Sequence, residues 1–359
     1  MDWTSTRLSY RQTGYFSRII TDYLDQAAEL SPFYRHAVSP EGLRAAMEAR
    51  KQSPVNRAVL VEALRELYAG AKPAPMVEQN IEKLAEENTF TVCTAHQPAI
   101  FTGHLYFIYK ILHTIRLADY LRKQYPSAHF VPVFYMGSED ADLEELGNIH
   151  LGGEKLVWDT KQTGAVGRMK TKGLDKLIYR IEGELSVQPF GKELVAMLKG
   201  AYLESPDIQT ATFRLIHQLF SEYGLVVLIA DKTAFKQLMI PVFEDDLFRQ
   251  TPSAIVSRTI DQFPAHYKVQ ANPRLINLFY LKDDVRARID QKGDIFFVHG
   301  TDLQFTAAQL REELHRYPER FSPNVILRGL FQETILPNIA FIGGGGETAY
   351  WLEIGRAHV

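Results

Sequence analysis

The sequence predicts an α/β protein whose core is an open parallel sheet, and three observations carry that reading. First, residues 90–110 pass from an apolar run, Thr91 to Thr94, through a polar, turn-rich loop into Leu105, Ile108, Ile111, Leu112, Ile115 and Ala118 at helical spacing. Second, another buried-strand run, His129 to Met136, follows the break at Pro126. Strand, helix and strand then form one βαβ unit, and such units are almost always parallel and right-handed. Third, two later apolar runs, 225–230 and 339–342, end as the first two do in polar or glycine-rich turns, at Asp231 and at Gly343.

In chain order, residues 1–87 read as a helical segment packed on the core. Ser39-Pro40 and Ser53-Pro54 each place a capping hydroxyl before a proline suited to the first helical position, and Leu60, Leu64 and Leu67 form one apolar stripe. Residues 88–352 form the core, with insertions at about 147–190 and 265–300. In the first insertion, IHLGGEKLVW alternates around Gly152-Gly153 as a hairpin, and the glycines of TGAVGRMKTKG predict a mobile loop carrying Arg168, Lys170 and Lys172. Helices follow over 192–203 and 208–223, and a helix over 232–248 must break or kink at Pro241. The second insertion reads as an antiparallel meander over 277–281, 285–289 and 295–299.

A chain of 359 residues with 46% hydrophobic content has ample material for a packed core. A net charge of -3 creates no field that would draw nucleic acid or an anionic membrane, which leaves small molecules as partners. The N-terminal twenty residues contain no continuous apolar stretch, so neither a secretory signal nor a membrane anchor is expected and the location is read as cytoplasmic. The single cysteine, Cys93, lies inside an apolar strand and reads as a core thiol.

Parallel strands bring four polar clusters to one edge: His96, Gln97, Thr102, Gly103 and His104; Ser138, Glu139, Asp140 and Asp142; Asp231; and Gly343, Gly344, Gly345, Gly346 and Glu347. Packing alone does not gather carboxylates at one rim. Each cluster has a plainer reading as well. His96 or His104 can serve the start of the following helix, the acidic run can complement a helix dipole, and the glycines can make a tight strand-to-helix turn. The chemical reading makes the Leu105 helix start an anion site, one of Glu139, Asp140 and Asp142 an amine ligand or base, and Arg168 or Arg328 a carboxylate receptor. Phosphate-loop, dinucleotide, zincin and serine-hydrolase signatures are absent, and His96 with His104 fits no regular metal-ligand spacing.

TAHQPAIFTGHLYFIYK, VPVFYMGSEDADLEEL, QTGAVGRM, NPRLINLFYL and SPNVILRGLFQETILPNIAFIGGGGETAYWL, in this order over nearly the whole chain, resemble the cysteine-adding enzymes of bacillithiol biosynthesis. The resemblance implies a Rossmann-like core with inserted connecting segments, related to class I aminoacyl-tRNA synthetases and nucleotidylyltransferases. It further implies a C-terminal coiled coil that makes a homodimer and that this chain lacks. The implied reaction joins L-cysteine to the glucosamine amine of glucosaminyl-malate, with ATP or another nucleotide as the candidate activating agent. His96 would be catalytic together with Glu139, Asp140 and Asp142, and the glycine run, Glu347 and Asp231 would line the substrate or nucleotide site. Relatives often carry Pro at the position of His104 and His at that of Ala141, which weakens a catalytic role for His104. Two rival readings are another adenylating or nucleotidyl-transferring enzyme on this fold, and a nucleotide-binding scaffold without catalysis. Finally, EIGRAHV reads back through GAG-ATC-GGA-AGA-GCA-CAC-GTC as a sequencing adapter, so residues 353–359 are expected to be a non-native tail.

Overall fold

The computed structural model describes residues 4–71 and 74–354. Eleven strands lie among them: β1 (Thr89–His96), β2 (His129–Met136), β3 (Asn148–Leu151), β4 (Glu154–Val157), β5 (Val226–Ile229), β6 (Leu278–Lys282), β7 (Val285–Lys292), β8 (Ile295–Val298), β9 (Gln304–Thr306), β10 (Phe321–Pro323) and β11 (Asn338–Ile342). Four of them make the core sheet, in the order β11-β1-β2-β5 and parallel throughout. β1, β2 and β5 are buried along nearly their whole length because both faces of such a sheet are covered. The helix Leu105–Gln124 turns Phe107, Ile111, Ile115 and Ala118 into the core, which is why those positions recur at helical spacing.

β1 and β2 run in step from Thr89 opposite His129 to His96 opposite Met136, so their ends are level and the Gly137 N–H donates to the His96 carbonyl. β5 is the outer strand on one side. The Val227 N–H that it turns outward donates to the Tyr68 hydroxyl, from the N-terminal helix Arg57–Tyr68, so that helical segment also closes a sheet edge. Arg50, near the end of Pro40–Lys51, does the same at the opposite side, donating to the carbonyls of Glu333 and Leu336 just before β11.

The hairpin β3–β4 forms around Gly152 and Gly153, both at positive φ, and packs with the helices Leu174–Leu185, Gly191–Tyr202 and Ile208–Phe220 around a satellite core. Ala99, Ile100 and Phe101 from the loop after β1 belong to that core, a tie that the apolar pattern alone does not disclose. The second insertion is larger than a three-stranded meander. β9 and β10 extend it to five antiparallel strands in the order β10-β6-β7-β8-β9. The expected break near Pro241 falls at Met239, between the helices Thr233–Leu238 and Ile240–Phe248, so the proline sits in a first turn where its missing N–H costs nothing.

The last helix, Gly345–Ile354, buries Leu352 and Ala349 against Ile19, Ile20 and Phe33. Of the expected non-native tail only Glu353 and Ile354 are described, both buried, with Glu353 accepting from the Gln270 and Ala271 N–H groups. Residues 355–359 lie outside the described residues, and no coiled coil occurs among those described. No helix of the described residues is long and apolar enough to cross a membrane.

Candidate active site

The loop after β1 is held in an unusual backbone. Phe101, Thr102 and Gly103 all have positive φ, at 52°, 73° and 63°. A β-branched residue in this region is strained by about 1–3 kcal/mol, so something must hold it. The Phe101 N–H donates to the Tyr202 hydroxyl at 2.9 Å, and the two rings meet edge to face at 4.7 Å. At Gly103 a side chain would stand 2.8 Å from the Ala99 Cβ, so glycine is required there by space as well as by φ. The loop delivers His104 to the N-cap of Leu105–Gln124 without a side-chain cap bond, which leaves the first-turn amides facing outward with no side-chain acceptor.

β1 continues to β2 on one side, whereas its other neighbour, β11, is reached only after the insertions. The β1/β11 gap is therefore the switch point of the sheet, where parallel α/β proteins bind their ligands. Lys110, almost fully buried, reaches this point and donates to the Ala95 carbonyl at 2.7 Å and to the Glu347 carboxylate. Glu347 also accepts the Gly344 N–H at 2.8 Å. The glycine run thus opens a helix whose own first-turn carboxylate, Glu347, takes the Gly344 N–H, and none of the four glycines has positive φ. Arg328, from the helix Val325–Ile335, lies behind them with the Tyr350 hydroxyl as its hydrogen-bond partner and the Phe341 ring 5.7 Å away.

His96 is engaged through both ring nitrogens. Nδ1 lies 2.9 Å from the Gln97 carbonyl, which can only accept, so Nδ1 carries the proton; Nε2 accepts from the Tyr106 hydroxyl at 2.8 Å. Burial pushes the imidazole pKa down, the nearby Lys110 charge adds to this, and the ring is neutral. His96 is thereby suited to orient Tyr106 rather than to supply a proton.

The three carboxylates after β2 have three different fates. Asp142 caps the short helix Leu143–Leu146 through the Glu145 N–H, the plainer of its two readings. Glu139, only 12% exposed, is ion-paired with Lys236, which is itself fully buried and donates also to the Phe321 carbonyl of β10 at 2.6 Å. Asp140 keeps about a third of its side chain exposed. Gln97 donates to it at 3.0 Å, which brings the loop after β1 and the acidic strand end together.

Asp231, at the end of β5, takes Arg168 in a two-pronged bond of 2.6 and 2.7 Å. The segment expected to be a mobile loop is docked. Val166 and Gly167 donate to the carbonyls of Asp140 and Ser138, and a Gly167 Cβ would stand 2.5 Å from the Ser138 carbonyl oxygen. Close packing, rather than freedom, is the reason for that glycine. Gly167→Ala is expected to cost about 1–3 kcal/mol, as overpacking does, read as a lower urea midpoint at unchanged slope.

His104 stands apart from these contacts, stacked on Tyr106 and His150, and lines an open cavity of about 350 Å³ with Asp142, Glu144, Glu145 and Lys155.

The family model described as bacillithiol biosynthesis BshC, N-terminal Rossmann-like domain, matches residues 1–358. The chain belongs to the BshC family. Among its relatives, a protein of Cytophaga hutchinsonii named "Putative cysteine ligase BshC" is 42% identical over 349 residues, covering 97% of this chain and 65% of the relative. Proteins of the same name from Flavobacterium johnsoniae and Flavobacterium psychrophilum are 43% and 40% identical, again over 97% of this chain and 66% of each relative. The chain spans about two thirds of the length of these curated relatives.

Within this BshC-family domain, Tyr106, Lys110, Lys236, Arg286 and Tyr350 complete the strand-end belt, and none of them stood out in the sequence. Two had a usable signal. Lys110 interrupts the inward stripe of Phe107, Ile111 and Thr114, and Lys236 follows the buried Phe235, both positions where an unpaired charge would be costly. Tyr106, Arg286 and Tyr350 had none, because their partners are set by tertiary contacts.

Proposed function

We propose that this chain is the catalytic part of a cytoplasmic cysteine ligase that adds L-cysteine to the glucosamine amine of glucosaminyl-malate, the last step of bacillithiol biosynthesis. The observation that carries the reading is the match to relatives of that name over 97% of the chain. The belt of cations, carboxylates and uncapped amides at the sheet's carboxyl edge supports it. A free carboxylate and an amine do not condense unaided, so the carboxylate must first gain a leaving group. ATP or another nucleotide would supply one when bound. The donor set fits an oxyanion of that kind: the first-turn amides of Leu105–Gln124 lack a side-chain cap, and nothing among the described residues takes the third proton of Lys110.

Arg328 is in position to receive a malate carboxylate, since its one hydrogen bond goes to a neutral hydroxyl whereas Arg168 already grips the Asp231 carboxylate with two donors. Asp140, unlike Asp142, caps no helix, and its exposed third is open to a substrate amine. Tyr106, oriented by His96, lies in the first turn of the helix whose amides lack a side-chain cap. In the longer form typical of relatives, the enzyme is read as a homodimer joined through a coiled coil.

The test is a mass-spectrometric assay of L-cysteine, glucosaminyl-malate and ATP with the family-length protein. Bacillithiol is the expected product. Pyrophosphate release with some other substrate and no thiol product would replace this reading by another adenylating enzyme. Asp140→Asn is expected to lower product formation by about 100-fold or more with an unchanged circular-dichroism spectrum, and undiminished turnover would remove Asp140 from the reaction.

A further inference from the structure

Five cations reach the carboxyl edge of the sheet from elements outside β1 and β2, namely Lys110, Arg168, Lys236, Arg286 and Arg328, and all but one hold a hydrogen-bond partner. Arg168 grips Asp231 through two hydrogen bonds, and Lys236 holds Glu139 and the Phe321 carbonyl. Arg286 is the exception. It sits on β7 of the inserted antiparallel sheet, diagonal to Phe279 on β6, with its guanidinium carbon 4.0 Å from the centre of that ring. Its side chain is 12% exposed, it makes no hydrogen bond among the described residues, and its Nε is buried without a partner. Burial accordingly lowers its pKa from the usual guanidinium range. A guanidinium fixed by stacking but left with free donors is costly as a structural element and well suited to a ligand.

Its nearest carboxylate is Asp140, with Nη1 and Oδ1 3.8 Å apart, beyond hydrogen-bond reach. Asp140 is itself held firmly: Gln97 donates to Oδ2 at 3.0 Å and the Ala141 N–H to Oδ1 at 2.7 Å. Each oxygen keeps a second lone pair, and about a third of the side chain faces solvent. Two rigid groups of opposite charge thus stand side by side without bonding each other. A phosphate or a dicarboxylate would meet repulsion from Asp140, and a lone amine would meet it from Arg286. A zwitterion carrying both charges on one α-carbon meets neither.

We propose that Arg286 and Asp140 form the receptor for a free α-amino acid, with its carboxylate on the Arg286 guanidinium and its ammonium on Asp140. That the amino acid is cysteine rests on the ligase reading above; the zwitterion geometry does not. The receptor also gives the inserted sheet a role, since β7 carries half of it to the edge of the core.

Calorimetric titration of the full chain under reducing conditions tests this with three ligands: L-cysteine, cysteamine, which lacks the carboxylate, and 3-mercaptopropionate, which lacks the ammonium. Wild type should bind L-cysteine at least about tenfold more tightly than either fragment, the worth of one charge-assisted hydrogen bond. Arg286→Gln should bring L-cysteine down to the level of cysteamine without changing cysteamine itself. Asp140→Asn should do the same relative to 3-mercaptopropionate, and Arg286→Lys, which retains the charge and guards against misfolding as the cause, should fall between. Equal binding of all three ligands by wild type would overturn the proposal, as would wild-type cysteine affinity in Arg286→Gln. Displacement of cysteine by L-malate in wild type but not in Arg286→Gln would also overturn it in favour of a carboxylate site for the acceptor. Cysteine binding that follows this pattern without thiol product in the assay would refute the ligase reading alone.

Discussion

Lys236→Met should destabilise the fold by about 3–5 kcal/mol, the usual cost of stranding one partner of a buried ion pair. Lys236 is fully buried, its ammonium joins Glu139 of the core to the Phe321 carbonyl of the inserted sheet, and the ring of Phe331 lies 5.3 Å away. Without it, Glu139 has no counter-charge in contact. Burial already raises the Glu139 pKa above the ordinary glutamate range, with Lys236 the main influence pulling it back. The variant should therefore hold Glu139 protonated at neutral pH. Its native state then binds more protons than its unfolded state, so its stability falls as pH rises above the ordinary glutamate value. Urea titrations at pH 5.5 and pH 8 should show the larger loss at pH 8. Adding Glu139→Gln should restore part of the stability, because removing both charges avoids the stranded one. Equal losses at both pH values, or no rescue, would show that the pair is not the joint between core and insertion.

The core was legible because its strands are buried on both faces. β2 and β5 carry unbroken apolar runs, β1 sets Phe90, Val92, Cys93 and Ala95 among threonines, and the turns that end all three carry the polar clusters. Parallel pairing then placed His96, Asp140, Asp231 and Glu347 on one edge by topology alone. The side-chain partners were not legible. Glu139 and Lys236 are 97 residues apart, and Arg168 and Asp231 are 63 apart. Such choices depend on how the insertions dock, which local pattern does not encode. β9 and β10 escaped notice because three residues are too few to show an alternation.

Glycine was the least reliable guide. In TGAVGRM it suggested freedom, where Gly167 is in fact required by contact with Ser138. In the run Gly343, Gly344, Gly345 and Gly346 it suggested a phosphate loop, where Glu347 takes the Gly344 N–H. At Gly103, as at Gly164 and Gly224, positive φ and steric need coincide. A glycine states that a side chain would not fit or would strain, and the structure supplies the reason.

Lys110→Met should lower turnover of the family-length enzyme by about 100-fold or more, the scale of losing one preorganised donor from a site where charge develops. The argument rests on position. Lys110 lies at the switch point of the sheet, its ammonium is tied to the Ala95 carbonyl of β1 and to Glu347 beside β11, and it sits one turn below Tyr106. A purely structural lysine would link the two strand ends and do nothing more. In that case Glu347→Gln, which breaks the same ion pair, should cost as much as Lys110→Met. If Lys110 instead directs its remaining proton at a substrate oxyanion, Glu347→Gln should cost less than about tenfold, because a neutral amide still accepts from Lys110 and the ammonium stays in place. His96 reports the loss of the charge itself and confirms that the ammonium stood at the strand end. Its pKa is held down first by burial and then in part by the Lys110 charge, so removing that charge should shift its titration upward, as followed by imidazole NMR. Wild-type turnover in Lys110→Met would take the lysine out of the reaction and leave the uncapped amides of Leu105–Gln124 as the only anion donors at that point of the sheet among the described residues.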